Sequence, residues 1–241
     1  MTVRIILVGT THPGNIGAVA RAMRNMGLSE LMLVNPRHFP HPDATARASG
    51  AEDILLSAAV VGSLDEALRD STFVAGASAR SRSIGWPSMA PRECAARLLA
   101  ENQNGKSAVV FGPEHSGLTN DDLDRCHTLL TIPTDPEFSS LNLAMAVQVM
   151  SYELRLARID GVREEFILDV PLATGEELQQ FYTHLEQVLR SSGFLDPENP
   201  RHLMRRLRRL FGRAAPDKNE INILRGIFAS LDADGGKGDG R

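Results

Sequence analysis

The sequence predicts an α/β fold: a mostly parallel sheet with helices on both faces, followed by a small helical extension. Three observations carry that expectation. Short β-branched apolar runs end repeatedly at glycine or proline, as at Val3–Val8 before Gly9 and Ser107–Phe111 before Gly112. Helical segments alternate with these runs, the order that joins parallel strands through helices. From Asp160 onward strand signals stop and three helical segments follow.

The elements follow in order. Val3–Val8 reads as a buried strand, and a Gly/Thr/Pro/Asn loop leads into a helix from about Ile16 to Met26, with Gly27 placed as its C-cap. Leu31–Val34 is a second strand, closed by Asn35-Pro36. Residues 36–63 are rich in Pro, His and Ala and promise short helical pieces at best. Leu64–Arg69 is a helix, Thr72–Ala77 a strand, and residues 78–87 a polar loop. Pro91–Ala100 is a helix with proline near its start. Ser107–Phe111 and Leu129–Ile132 are strands that end at Gly112-Pro113 and Pro133. Asn142–Ile159 is a long helix, apolar nearly all round, which predicts burial. The expected division is residues 1–160 for the sheet domain, 161–173 for a linker crossed by few core contacts, 174–231 for the helical extension and 232–241 for a disordered tail. Within the extension the helices are set at about Gly175–Ser192, Pro200–Gly212 and Asp217–Leu231.

Composition limits the function classes. A chain of 241 residues is long enough for a sizeable core plus an appendage. The formal net charge is −4, so any nucleic-acid site must be a local patch. Cys94 and Cys126 stand far apart and outside any CxxC pair, which argues against a disulfide scaffold and a zinc site. His38 and His41 flank Phe-Pro and make no credible metal pair, so no metal is expected. The N-terminal apolar run is too short for a signal peptide, and no stretch reaches the roughly 18 apolar residues of a membrane span. The expectation is a soluble cytoplasmic protein with no membrane partner.

Three loops follow strand ends, where open α/β sheets place ligands. The first is Thr10-Thr11-His12-Pro13-Gly14-Asn15-Ile16-Gly17, leading into a helix that carries Arg21. Its glycines permit close backbone approach, and a helix start offers free N–H groups, although an ordinary tight turn explains the pattern equally well. The spacing is neither GxGxxG nor GxxxxGK[ST], which disfavours a dinucleotide fold and excludes a P-loop. The second loop is Phe111-Gly112-Pro113-Glu114-His115-Ser116-Gly117-Leu118. The third runs from Ile132-Pro133 through Glu137-Phe138-Ser139-Ser140-Leu141-Asn142-Leu143-Ala144, where serines and asparagine suit an N-cap.

Taken together and in order, these three loops resemble the three motifs of the SPOUT methyltransferases that modify ribose 2′-hydroxyls. Within that family the chain is similar to the group acting on ribose 32 of the tRNA anticodon loop. Ala77-Ser78-Ala79-Arg80-Ser81-Arg82 before Trp86-Pro87, and Asn219-Glu220-Ile221-Asn222-Ile223-Leu224-Arg225-Gly226, match that group. The resemblance spans all but about the last ten residues. It implies a SPOUT-type parallel sheet whose C-terminal part is tied in a trefoil knot, a feature no residue pattern reveals. It implies a homodimer, S-adenosyl-L-methionine as cofactor and tRNA as substrate. The cofactor residues it implies are Ala77, Ser78, Ala79, Gly112, Ile132, Ser139, Ser140 and Leu141. It assigns catalysis to Arg21, with Asn15, Glu114, Ser140 and Asn142 positioning the ribose. A guanidinium is essentially never deprotonated, so Arg21 is expected to stabilise a developing 2′-oxyanion and grip a phosphate.

For RNA contact the expectation rests on Arg80 and Arg82 beside the pocket, and on Arg205 and Arg209 in the arginine-rich helix, whose Leu203, Leu207, Leu210 and Phe211 share one face. Trp86 is read as packing. Two alternatives stand beside this reading: a ribosomal RNA ribose methyltransferase, and a non-catalytic RNA-binding protein on the same fold. The C-terminal extension disfavours the first, since the ribosomal relatives carry an N-terminal RNA-binding domain. Intact Asn15, Arg21 and Ser140 disfavour the second.

Overall fold

The run Arg4–Val8 forms the strand β1 in the middle of the sheet, where both faces are covered. Ile5 and Leu7 point to one hydrophobic cluster and Ile6 to another, and all three are fully buried. A strand buried on both faces must be apolar throughout rather than alternating, which is why the sequence shows an unbroken run here. The structure, a computed structural model, describes residues 3–79, 87–159, 170–199 and 201–235.

Chain order within the sheet domain is β1, α1 (Pro13–Asn25), β2 (Leu31–Val34), α2 (Pro42–Ala48), α3 (Glu52–Ser57), β3 (Ala59–Val61), α4 (Leu64–Leu68) and β4 (Ser71–Ala77). There follow β5 (Ser88–Met89), α5 (Pro91–Glu101), β6 (Lys106–Phe111), α6 (Asn120–Leu123), β7 (Thr128–Leu130) and α7 (Leu143–Ile159). All seven strands are parallel, in the order β3-β2-β1-β6-β4-β7-β5. The late strands β6 and β7 are inserted among earlier ones. This brings the C-terminal ends of β1, β4, β6 and β7 side by side. At the opposite edge Arg4 is buried and donates to Asp70 at 2.7 Å, with Lys106 2.8 Å from the same carboxylate. Arg4 first, with Lys106, holds Asp70 well below the usual carboxylate range.

Several expectations need correction. Helix α1 starts at Pro13, three residues early, because proline is well tolerated at the first helical position. Residues 36–63 contain the short helices α2 and α3 but also β3, an edge strand whose Ala59 and Val60 are exposed and so lack a core signature. The two-residue β5 and the one-turn α6 carried no sequence signal. Helix α7 is not buried all round. Leu143, Val147, Met150, Ser151 and Leu154 face the core, while Met145, Tyr152 and Ile159 are about half exposed or more.

The extension consists of α8 (Gly175–Ser191), α9 (Leu203–Ala214) and α10 (Lys218–Gly235). Thr174 and Glu177 form a capping box that starts α8. Phe181, Tyr182, Leu185 and Ile221 make a separate small core, with Phe211 edge-on to Phe181 at 4.7 Å between centroids. Two boundaries shift. Leu172 and Ala173, placed in the linker by sequence, are buried and held to Asp217 and Pro216, so the ordered extension begins before Thr174. Helix α10 runs four residues into the expected tail.

The extension also makes more contact with the sheet domain than expected. A Cβ on Gly175 would come within 2.6 Å of the Leu68 carbonyl oxygen, so α8 begins in direct backbone contact with the end of α4. Arg205 pairs with Asp124 at 3.2 Å, both side chains largely covered, and Arg208 lies over the Tyr182 ring at 4.4 Å. Burial, with Asp121, leaves the pKa of Asp124 raised despite Arg205 and Arg208. The pair therefore fixes where the extension docks more than it adds stability. Arg205→Ala should leave Asp124 covered and unpaired, lowering stability by about 2 kcal/mol at neutral pH. The double variant Arg205→Met/Asp124→Leu should unfold within about 1 kcal/mol of wild type. Thermal and urea unfolding of both variants checks this; equal losses in the two would contradict it.

Candidate functional site

The C-terminal ends of β4, β6 and β7 open onto one cleft. Its lining includes Ala77, Ser78 and Ala79 after β4, Gly112 to Leu118 after β6, Leu130 and Ile132 around the end of β7, and Ser140, Leu141, Leu143 and Ala146 leading into α7. It encloses about 150 Å³. Of the eight residues expected for the cofactor, seven line it. Ser139 does not; it is exposed, and its carbonyl accepts a hydrogen bond from Thr134 Oγ1 at 3.2 Å, closing the loop from behind. Sequence reasoning missed the apolar walls Leu130, Leu143 and Ala146, which read simply as core.

Gly112 is needed by the loop itself. A Cβ there would lie 2.3 Å from the backbone of Gly117 and Leu118, so any side chain would push the loop open before meeting a ligand. Gly117 completes the turn at φ +68°, its N–H donating to the Pro113 carbonyl at 2.8 Å.

One carboxylate joins the loops. Glu114 accepts hydrogen bonds from the Thr11 N–H at 3.0 Å, the Thr11 hydroxyl at 2.9 Å, the His12 N–H at 3.1 Å and the Asn15 side-chain amide at 2.8 Å. Asn15 in turn accepts from Asn142 Nδ2 at 3.2 Å, and Asn142 Oδ1 accepts the Ala144 N–H at the start of α7. Burial alone would raise the pKa of Glu114, but the bonds from Asn15, Thr11, its own backbone and His12 bring it down to about 2. Such a group is charged across the neutral range and already carries four donors. It is a structural anion and not a general base.

Arg21 lies elsewhere. It is exposed on α1, lines neither the cleft nor the neighbouring basin, and has no hydrogen-bond or ion-pair partner among the described residues. The structure brings Asn15, Glu114 and Asn142 together and places Ser140 on the cleft wall, but it leaves Arg21 apart from all four within one chain. Arg80, Arg82 and Trp86 fall outside the described residues. Arg205 is engaged by Asp124, and Arg209 is half-buried with its Nε covered. The fully exposed cations of this helix region are Arg201, Arg206 and Arg213. The amphipathic pattern could not separate these roles, because it gives a face and not a partner. Cys94 and Cys126 are buried free thiols, the former pushed up to about 12 by burial and by Glu93. His41 caps α2 by accepting the Asp43 N–H.

Known proteins resemble the chain throughout. The model of the SpoU rRNA methylase family matches residues 2–152, and that of the C-terminal domain of the tRNA methyltransferase TrmJ matches residues 176–239. The tRNA (cytidine/uridine/adenosine-2′-O-)-methyltransferase TrmJ of Pseudomonas aeruginosa is 55% identical over 94% of this chain and 92% of its own length. The tRNA (cytidine/uridine-2′-O-)-methyltransferase TrmJ of Pectobacterium atrosepticum is 50% identical over 95% of this chain and 96% of its own. A crystal structure of TrmJ from Z. mobilis superposes with a TM-score of 0.84 at 37% identity, covering 96% of this chain and all of that one.

The Glu114 network makes its own prediction. Glu114→Gln keeps the size but removes the charge, and its amide NH₂ faces donors. The loss should be about 2 kcal/mol of stability near pH 7. The wild-type advantage should persist down to the ordinary glutamate range and fade as pH falls toward 2, because a depressed pKa stabilises only while the group is ionised. Urea unfolding at pH 7 and pH 3 measures both; a constant difference would contradict the assignment.

Proposed function

The chain belongs to the TrmJ tRNA 2′-O-methyltransferases of the SpoU methylase family, and from that premise we propose that it transfers a methyl group from S-adenosylmethionine to the ribose of nucleotide 32 in the tRNA anticodon loop. The bases accepted in this reading are cytidine and uridine, the pair common to the names of both curated relatives above. The observation that carries the reading is the cleft at three strand ends, tied through Glu114 to the loop after β1 and through Asn15 to Asn142.

The cleft's chemistry suits the cofactor. Leu130, Ile132 and Leu141 supply apolar surface for a flat ring, and Ser140 adds a polar group on the wall. When bound, the cofactor supplies an electrophilic methyl on a sulfonium, so in-line placement matters more than further activation. Asn15 and Asn142 hold the ribose, Ser140 flanks it, and Glu114 keeps both asparagines in place. Arg21 steadies charge on the 2′-oxygen as its proton passes to solvent water and the methyl leaves the sulfonium, and it grips one of the two flanking phosphates.

Because Arg21 sits away from the cleft of its own chain, the reading requires a homodimer in which Arg21 of the partner subunit completes the site. The exposed stripe Met145, Tyr152 and Ile159 on α7 supports this, being an apolar face in want of a cover. The trefoil knot belongs to the same reading, supported by β6 entering between β1 and β4 and β7 between β4 and β5. On the extension, phosphate contact passes from Arg205 to Arg206 and Arg213, with Arg209, Arg80 and Arg82 retained as candidates. A cytoplasmic setting follows from the substrate; among the described residues no helix is long and apolar enough to cross a membrane, and no cluster of three or more His, Cys, Asp or Glu is placed to hold a metal.

Incubation of purified protein with unmodified tRNA and cofactor, followed by nucleoside mass spectrometry and position mapping, should find 2′-O-methylation at nucleotide 32. Modification at another nucleotide, or none, would refute the assignment. Arg21→Ala should lower kcat by roughly 10²–10³ with cofactor affinity near wild type. Mixing Arg21→Ala with Gly112→Val subunits should restore roughly a quarter of wild-type activity, since half of the dimers are mixed and each holds one intact site. No recovery on mixing would show that the site is not shared.

A further inference from the structure

Beside the cleft, beyond Asn15 and Asn142, lies a second and more polar basin of about 510 Å³. It is lined by His12, Pro13, Gly14, Asp43, Ala46 and Arg47 together with the two asparagines. The proposed reaction gives Arg47 no role. We propose that Arg47 grips the second phosphodiester flanking the target ribose, the one that Arg21 does not hold, so that the basin is a phosphate subsite of the tRNA. The assignment rests on the function argued above, because it takes Asn15 and Asn142 as the ribose contacts.

The position of Arg47 is fixed by how two helices cross. A Cβ on Gly17 would lie 2.0 Å from the Ala44 carbonyl oxygen, so α1 and α2 touch backbone to backbone there. Three residues before Gly17 comes Gly14, and three after Ala44 comes Arg47. A Cβ on Gly14 would lie 3.1 Å from Arg47 Nε, 3.3 Å from Cδ and 3.8 Å from Cγ. The helices therefore run antiparallel, and the arginine stem lies flat across the residue next to Asn15. Its guanidinium is exposed and has no hydrogen bond or ion pair among the described residues.

The chemistry of the basin selects a phosphate over a base. Arg47 offers a planar fork suited to two phosphate oxygens, with charge to match. The walls hold no Phe, Tyr or Trp on which a base could stack. Asp43, one turn before Arg47, also lines the basin, so an anion must seat on the Arg47 fork and away from that carboxylate. A ribose held at Asn15 and Asn142 has its own phosphodiester as nearest neighbour, on the side where Arg47 lies.

The bland alternative is that Arg47 packs its stem on α1 and its charge favours the C-terminal end of α2. Arg47→Met separates the two, since it keeps the stem and removes the fork. Thermal unfolding, cofactor affinity by calorimetry, tRNA affinity over a salt series and steady-state kinetics should be measured for wild type, Arg47→Met and Arg47→Lys. For Arg47→Met the expected result is tRNA binding weakened roughly tenfold. KM for tRNA should rise by a similar factor, with kcat and cofactor affinity close to wild type. The slope of log affinity against log salt should fall by about 0.7, and Arg47→Lys should restore it. Unchanged affinity and slope in Arg47→Met, whether or not the melting temperature falls, would overturn the assignment, as would a loss confined to kcat. If the wild-type protein methylates no tRNA ribose, the proposed reaction is overturned and this assignment falls with it; a methylating wild type with an indifferent Arg47→Met overturns only the second.

Discussion

Glu114 is a single carboxylate with donors from three residues of another loop, and the arrangement of the site depends on it. The loop after β1 reaches it through Thr11, His12 and Asn15, and Asn15 passes the connection on to Asn142 at the start of α7. Three loops that are far apart in sequence are thus held in register by one anion. Loops at strand ends have few core contacts of their own, so without such a tie their side chains would not share a fixed geometry. The low pKa follows from the same crowd of donors, and it makes Glu114 too weak a base for proton transfer in the proposed reaction. That limitation shifts the burden of charge stabilisation onto a cation.

How much of this was legible in the sequence varies with the kind of physics involved. The central strands could be read directly, because the middles of β1, β4 and β6 are buried on both faces and carry the apolar runs Ile5–Leu7, Phe73–Ala75 and Ala108–Phe111. The edge strands β3 and β5 could not, because an edge strand of two or three residues with exposed side chains leaves no apolar run. The three loops were found through their ordered resemblance to a family, and seven of eight cofactor candidates do share a cleft. The meaning of the glycines was harder to see. Gly112 and Gly17 read as room for a ligand, whereas a side chain at either would strike the protein's own backbone, at Gly117–Leu118 and at Ala44. Spacing in a sequence shows that a glycine is needed but not which neighbour needs it.

The arginine-rich helix α9 illustrates a second limit. Its composition suggested one basic face, yet the structure divides its cations by what each can reach. Arg205 finds Asp124 of the sheet domain, Arg208 covers Tyr182, and Arg206 and Arg213 stay in solvent. A half-buried ion pair whose acid is pushed upward by burial contributes little net stability, but it disfavours every docking position that leaves Asp124 covered and alone. The expected loose tether is thus replaced by a seated bundle, reinforced where Gly175 meets the backbone of Leu68. Any RNA surface on the extension then has an orientation relative to the cleft that is set by the Arg205–Asp124 pair and the Gly175–Leu68 contact.

The position of Arg21 connects local geometry to assembly. Asn15 and Arg21 leave α1 six residues apart, and at about 100° per residue their side chains diverge by roughly a third of a turn. Asn15 therefore turns toward its own chain's loops while Arg21 faces solvent. Within one chain Arg21 lines neither the cleft nor the basin, and the proposed reading therefore calls for a second surface brought up to the helix. The same region supplies a reason for such a surface, since α7 packs on α1 and leaves Met145, Tyr152 and Ile159 uncovered. An uncovered apolar stripe and an unpartnered cation on adjacent helices would both be relieved by the proposed isologous contact, in which each subunit offers its stripe to its copy and its arginine to the copy's cleft. Cofactor binding and charge stabilisation would then reside on different chains. Subunit association, rather than any loop closure within one chain, would be the event that assembles the site.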